Sequence, residues 1–454
     1  MYSLIVKILA SFLATLFSLF NISADIPGFS EDVVSVTSIE YLNEEPGSMD
    51  AVIEITTSKD GSYSLYWADE SFNKLTFGLG DSEIEYSEFA TVTTYFGQGS
   101  IDLPDYTAIP ANAENILVTL DGEVLEIYEI PADKQPDRGE MTYSFGSISD
   151  LHFNRYDLED GADVAEATFT RALNFFDAAD VSLVAMPGDI STDGEKEAFE
   201  AFNRISSQYD FPVYTTTGNH DLRNKYEKEN WLNYMNPGAY SENRSEDVIN
   251  VADNGMDFVY REPVSGDIFI FLCQTSNNYG LVVNSLLQPS QLDWLEAQLE
   301  AHENDTVYLF FHTFLSDYCS NPFTATGNVQ NNMGWSYPLF YTLGSNDEAR
   351  LKSLLKEYDN VTFFNGHSHW AYHMQYMNAN LNISKNGADG ATFVHVSSVS
   401  SPRTTDGFQI LWSGNDPGMS EGYLIEVYED TILLMGVDFV NGKILAYATY
   451  ESAK

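Results

Sequence analysis

At 454 residues the chain is long enough for two or three domains with a sizeable buried core, and its 44% hydrophobic content is that of a globular protein. Asp and Glu number 68 against 21 Lys and Arg, a formal net charge of −47. Such a field repels nucleic-acid polymers and anionic membrane surfaces, so that neither is expected as a partner, although solubility alone also accounts for the excess of acid.

The first residues read as an export signal. Lys7 is the only charge before Asp25, Ile8 to Ile22 is almost wholly apolar, and Ser23-Ala24 supplies small residues near a plausible cut. The apolar run is short of the ~20 residues that a bilayer requires. A signal over 1–24 and a secreted or cell-envelope location are therefore expected, without stable membrane insertion after cleavage; an uncleaved anchor is the alternative. The two cysteines, Cys273 and Cys319, admit either one disulfide or two free thiols.

Between residues 30 and 130 the runs "SVTSIEYL", "DAVIEITT", "SYSLYWAD", "ATVTTYF", "ENILVTL" and "EVLEIYEI" are short, rich in β-branched and aromatic residues, and separated by Gly, Asn, Asp and Pro clusters. They predict an all-β domain of immunoglobulin or fibronectin type over 25–135, followed by a linker in "IPADKQPDRGE". From Met141 to the end at 454 the pattern changes to alternating strands and helices. Strands are expected in "YSFGSIS", "VSLVAMP", "FPVYTTT", "DIFIFLC", "TVYLFFH" and "VTFFN". Helices are expected in "ADVAEATFTRALNFFDAA", "GEKEAFEAFNRISSQY", "SQLDWLEAQLEAH" (with Ser290 as N-cap) and "NDEARLKSLLKEY". After His369 the pattern is mainly strand.

In such α/β units functional groups gather at the carboxyl ends of strands. Those ends hold Asp150 and His152, Gly188-Asp189, Gly218-Asn219-His220-Asp221, His312, and Gly366-His367-Ser368-His369, so that five of the 8 histidines stand at strand ends of one domain. Imidazole, carboxylate and one amide oxygen suit borderline metals such as Zn, Mn or Fe. The set exceeds the needs of one ion, and a shared Asp can bridge two ions about 3.5–4 Å apart, as in displacement at phosphorus. Glycines 188, 218 and 366 are expected to allow sharp turns there.

The ordered set D-x-H, G-D, G-N-H-D, H and G-H-x-H resembles the calcineurin-like metallophosphoesterase superfamily, over about residues 141–400. The resemblance implies an α/β fold, a four-layer α/β/β/α sandwich, with two divalent or trivalent metal ions (Mn, Fe or Zn). It implies that Asp150, His152 and His369 hold one ion, that Asn219, His312 and His367 hold the other, and that Asp189 bridges. His220 would be the general acid, oriented by Asp221, which alternatively caps the following helix. The implied activity is hydrolysis of phosphomonoesters or phosphodiesters, with a small phosphate ester as partner. A nucleotidase, a sphingomyelinase-like lipid phosphodiesterase, and an inactive binding scaffold are the alternatives.

Two departures narrow the resemblance. "GDISTDG" lacks the Asp-Arg-Gly of the protein Ser/Thr phosphatases, and Thr192 stands where purple acid phosphatases place a Tyr ligand. Arg155, Arg223 and Arg403 lie near the motifs and are candidates for a phosphate oxygen or for a surface role. Among the other histidines, His302 is expected to be exposed at an acidic helix end, and His373 and His395 to have packing roles.

Overall fold

The computed structural model describes residues 35–103, 106–154, 164–223, 227–235, 247–275, 286–315, 318, 345–374, 382–385, 390–404 and 418–454. The expected signal over 1–24, Arg155 and Cys319 lie outside them. The chain divides into two compact units, Met1–Thr76 with Tyr86–Leu103 and Ile109–Pro136, and Phe77–Glu85 with Pro104–Ala108 and Asp137–Lys454. Among the described residues no helix is long and apolar enough to cross a membrane.

The N-terminal strands are β1 (Ser35–Tyr41), β2 (Ala51–Thr57), β3 (Ser62–Ala68), β4 (Thr76–Leu79), β5 (Ser82–Glu85), β6 (Ala90–Thr93), β7 (Gln98–Asp102), β8 (Asn115–Leu120) and β9 (Glu123–Glu129). In the first unit they form two antiparallel sheets, ordered β1-β2-β7 and β6-β3-β8-β9. The alternation read from the sequence is what buries Ala51, Ile53 and Ile55 on one face of β2, and Trp67 stacks on Phe89 with ring centroids 4.0 Å apart. β7 carries no apolar alternation, and its pairing with β2 alone makes it a strand.

The second unit adds β10 (Tyr143–Ser147), α1 (Val164–Ala178), β11 (Leu183–Met186), α2 (Lys196–Ser206), β12 (Val213–Thr215), α3 (Glu227–Tyr234), β13 (Val248–Val251), β14 (Phe258–Arg261), β15 (Ile268–Phe271), α4 (Pro289–Ala301), β16 (Val307–Phe310), α5 (Ser345–Leu355), β17 (Val361–Asn365), β18 (Ile383–Lys385), β19 (Thr392–His395), β20 (Glu421–Val427), β21 (Thr431–Asp438) and β22 (Lys443–Ala453). One sheet runs β12-β11-β10-β20-β21-β22, the other β13-β14-β15-β16-β17-β19-β18. Within them β10, β11 and β12 are parallel to one another, as are β15, β16, β17 and β19.

Side chains from both sheets merge into one aromatic core, with Phe145, Tyr214 and Tyr423 from the first and Phe271, Phe310 and Phe364 from the second. The opposite face of the second sheet is covered by leucines 292, 295 and 299 of α4 and 351 and 355 of α5. Each such side chain contributes about 1.5–3 kcal/mol when fully buried. α1 turns Phe169, Ala172, Leu173 and Phe176 inward, and Gly146 of β10 makes room for it, because an added Cβ would stand 2.7 Å from the Phe176 ring.

Two local expectations are corrected, and one open alternative is decided. α4 begins at Pro289, not after Ser290; Gln288 is its N-cap and forms a capping box with Gln291. The proline fits the first helical position, since its fixed φ is helical and an N–H there has no partner within the helix. His302 is not exposed. It is the buried C-cap residue of α4, with Nδ1 2.7 Å from Asp305 Oδ2. Cys273 is a buried free thiol that donates to Met256 O.

Candidate metal centre

Every expected ligand lies in the turn that follows a strand: β10 leads to Asp150 and His152, β11 to Asp189, β12 to Asn219, β16 to His312, and β17 to His367 and His369. Five of them have left-handed backbones, with φ of 53° at Asp150 and His152, 55° at Asp189, 73° at His367 and 60° at His369. That conformation is costly for non-glycine residues, of order 1–3 kcal/mol each, and persists only where the surroundings enforce it. Here the turns brace one another. Asp150 N–H donates to Gly188 O (3.2 Å), His152 N–H to Asp189 O (3.0 Å), and Gly366 N–H to His312 O (3.1 Å). Of the three glycines, only Gly188 needs a positive φ (96°). Gly218 and Gly366 are instead required by close approach: a Cβ would stand 2.0 Å from Asp189 Oδ1 and from Ser149 Oγ, respectively.

The side chains converge in two overlapping groups. In the first, Asp150 Oδ1 is 3.0 Å from His369 Nε2 and 3.7 Å from His152 Nε2, and the two ring nitrogens are 2.9 Å apart. In the second, His312 Nε2 is 3.1 Å from Asp189 Oδ2, 3.2 Å from Asn219 Oδ1 and 3.1 Å from His367 Nδ1. Asp189 Oδ2 also lies 3.7 Å from His152 Nε2, so this one oxygen faces both groups. The other carboxylate oxygens are occupied. Asp150 Oδ2 accepts from Ser149 Oγ (2.7 Å) and His367 N (2.9 Å), and Asp189 Oδ1 accepts from His220 N (2.8 Å).

The donor set fits metal ions. His312 Nδ1–H donates to Pro187 O at 2.7 Å, which turns the Nε2 lone pair toward the Asp189 and Asn219 oxygens. Lone pairs meeting at such distances repel unless a cation stands among them. The chain by itself can supply only a proton: burial opposes the charge on His312, yet Asp189 and Asp150 raise its pKa to about 9. For Asp150, burial acts upward, but His369, His152 and His312 hold the carboxyl well below its usual range. Asp189 is likewise lowered, against burial, by His312, His220 and His152. Two carboxylates kept ionised beside imidazoles and an amide oxygen suit Mn, Fe or Zn.

His220 stands on the rim, its ring edge-on to His152 with centroids 4.5 Å apart. Its Nδ1–H donates to Thr192 O (2.8 Å), and Arg223 donates to Nε2 (2.9 Å). Burial, with His152 and Arg223 adding to it, lowers the imidazole to about 3 despite Asp189. Asp221 does not orient this ring. Its buried carboxylate accepts from Ser191 N and Oγ (2.8 Å each) and Gly218 N (2.9 Å), so it ties the loop after β11 to the loop after β12. Nor is it a helix cap, because α3 begins six residues later.

The groups that sequence reading missed are mostly backbone carbonyls: Pro187 behind His312, Thr192 behind His220, and Ser401 behind His369 Nδ1 at 3.3 Å. All three depend on tertiary approach and leave no residue-type signal. His395 is buried and donates through Nε2 to Trp370 O (2.8 Å), a packing role, whereas His373 is exposed.

A family model described as calcineurin-like phosphoesterase matches residues 143–371, just over half of the chain and all seven donor residues. The chain belongs to that family. Among solved structures, this calcineurin-like phosphoesterase is similar to a dimetal phosphatase from Danio rerio, at 14% identity over 69% of this chain and 99% of that one, with a TM-score of 0.46. It is also similar to a predicted phosphoesterase from Streptococcus pneumoniae, at 10% identity over 69% and 98% of the two chains and a TM-score of 0.29. A phosphoesterase from E. coli aligns at 10% identity over 68% and 98%, with a TM-score of 0.26. The comparison with curated proteins gives no match.

Proposed function

We propose that this chain is a dinuclear-metal phosphoesterase that hydrolyses a small phosphomonoester or phosphodiester. The observation that carries the reading is the sharing of Asp189 Oδ2 between two groups of nitrogen and oxygen donors, 3.1 Å from His312 Nε2 and 3.7 Å from His152 Nε2. Asp150, His152 and His369 would hold one ion, Asn219, His312 and His367 the other, with Asp189 between them. When bound, the ions supply Lewis acidity and lower the pKa of water toward neutrality.

The chain's own contribution is orientation and proton control. The carbonyls of Pro187 and Ser401 fix the tautomers of His312 and His369, so that Nε2 of each faces the centre. His220 is the proposed proton donor to the leaving oxygen. Its Nδ1 is anchored on Thr192 O, which leaves Nε2 as the working atom. As it stands, Nε2 accepts from Arg223 and is deprotonated. A dianionic ester arriving beside it supplies the negative charge that favours the protonated ring and draws the guanidinium away.

Further parts of the reading are proposals in the same sense. A four-layer α/β/β/α arrangement over 141–454 is supported by the core common to both sheets and by helices on the opposite face of the second. The two antiparallel sheets of the first unit support an immunoglobulin- or fibronectin-like domain over 25–135. The apolar segment in 1–24 supports export. Thr192, whose Oγ1 donates to His152 O at 3.0 Å, takes the place of a phenolate ligand and argues against a purple iron site.

The test is metal content together with activity. Chelation should abolish hydrolysis of nitrophenyl mono- and diesters, and Mn, Zn or Fe should restore it with about two ions per chain. Active protein with fewer than one ion per chain would overturn the reading.

A further inference from the structure

We propose that Arg403 is the anion anchor of this site, donating its guanidinium N–H groups to the non-bridging oxygens of the substrate's phosphoryl group and favouring monoesters over diesters. The proposal rests on the phosphoesterase reading above.

Position is the first observation. Arg403 is far from the ligands in sequence but locked to them in space. Its N–H donates to His369 O at 2.6 Å, Ala371 N–H donates to Arg403 O at 3.0 Å, and Trp370 and Arg403 form a parallel bridge. The segment that carries His369 therefore fixes the arginine's Cα beside the centre.

The second observation is that the guanidinium has no partner among the described residues. Arg138 pairs with Glu451, Arg204 with Glu166, Arg350 with Asp293 and Glu296, and Arg223 with Asp193 and His220. Among the described residues Arg403 is the half-buried arginine whose side chain makes no ion pair or hydrogen bond. In a chain with a net charge of −47, carboxylates are abundant. A half-buried guanidinium without one, next to a metal ligand, has its planar fork of donors available to an incoming oxyanion. Arg223 is not equivalent, since its terminal nitrogens already donate to Thr192 O, Asp193 and His220.

Charge sets the expected preference. A phosphomonoester carries about −1.5 to −2 near neutral pH and offers three non-bridging oxygens, whereas a diester carries one negative charge on two. Two of the monoester's oxygens can face the metals and leave a third for the arginine. A charge-assisted contact of this kind gains most from the dianion.

The experiment is calorimetric titration of inorganic phosphate into metal-reconstituted full-length protein, wild type against Arg403→Ala and Arg403→Lys. It is paired with metal analysis and with kcat/KM on nitrophenyl phosphate and a methyl nitrophenyl diester. Arg403→Ala should weaken phosphate binding about 10–100-fold, the value of a lost charge-assisted hydrogen bond. It should keep both metals and lose more on the monoester than on the diester, mainly through KM; Arg403→Lys should recover part of each loss. Unchanged phosphate affinity in an active, metal-replete Arg403→Ala overturns the arginine's role and leaves the phosphoesterase reading intact. Equal loss of metal in both variants makes the side chain a strut for His369 and also overturns it. Wild-type protein that neither binds phosphate nor hydrolyses either ester overturns both readings together.

Discussion

Replacing Gly218 by alanine probes the shared carboxylate without touching any donor. The new Cβ would stand 2.0 Å from Asp189 Oδ1, 2.6 Å from its Cγ and 2.7 Å from its backbone N. Real Cβ contacts essentially never fall below 3.0 Å, so the carboxylate must withdraw by about 1 Å. Rotating the side chain gives no escape, because the backbone N is in the same clash and Oδ1 is tied to His220 N–H. Metal–ligand distances tolerate only ~0.2 Å. Because Asp189 Oδ2 faces both donor groups, Gly218→Ala should lower the affinity for both ions by at least 10–100-fold, the usual cost of disturbing a ligand's support. Gly366→Ala is the control. Its Cβ would meet Ser149 Oγ at 2.0 Å, Asp150 Oδ2 at 2.5 Å and Ser149 Cβ at 2.9 Å, side-chain atoms only. Asp150 belongs chiefly to the His152–His369 group. The assay is metal per chain after desalting, with melting curves to exclude global unfolding. Near two ions are expected for wild type, near one for Gly366→Ala and near none for Gly218→Ala. Two ions retained in Gly218→Ala, or equal losses in both variants, would refute the shared role of Asp189.

Three other outcomes are expected. His220→Ala should keep its metals and lose about 10²–10⁴-fold on alkyl phosphate esters but far less on nitrophenyl esters, whose leaving group needs no proton; equal losses on both would remove His220 from acid catalysis. Asp221→Ala strands the donors of Ser191 and Gly218, so it should cost roughly 3 kcal/mol or more of stability by denaturant titration, with no dependence on leaving group; a variant of wild-type stability would contradict the brace between loops. Burial raises the Glu421 carboxyl to about 7, against the opposing Tyr372 N–H and Ser397. Because that folded-state pKa lies above the unfolded one, stability from the protonated form is fully present below about pH 4.5 and is lost as pH rises through 7. Glu421→Gln cannot ionise and should gain about 3 kcal/mol over wild type by pH 8, while matching it near pH 4; parallel pH–stability curves would refute the buried proton.

The candidate site was legible because its chemistry restricts residue types. Histidines are few, and strands such as "VTFFN" and "TVYLFF" declare themselves by unbroken apolar runs, so His312, His367 and His369 were found by reading where the runs stop. Elements held only by tertiary pairing were not legible. β7 is polar but for Ile101, β4 and β5 are four residues each, and β18 is three residues long. Roles that depend on which loops meet were equally hidden. Nothing in "GNHD" shows that Asp221 binds the loop of Ser191, while a threonine carbonyl holds the histidine beside it. The burial of His302 escaped for a similar reason: the segment is acidic, but Asn360 folds over it and donates to His302 O at 3.0 Å.

The two donor groups draw on strand ends from both sheets, and this makes the centre a clasp as well as a reaction site. His152 and His369 are 217 positions apart in the chain, and an ion held between them would close a loop of that length without a covalent bond. At the opposite, amino-terminal edge of the parallel strands the sheets are tied by Tyr143, which donates to Asp267 at 2.8 Å, and by Lys454, 3.0 Å from the same carboxylate. The two sheets are thus held at both ends by the chain itself, and an ion would add to the bonds from His312 to Pro187 O and from His367 N to Asp150 that already cross between them at the carboxyl edge. Stripping metal would then loosen the carboxyl edge without opening it. The contacts at Asp267 would remain, so that bound metal would add its stability to the carboxyl edge alone.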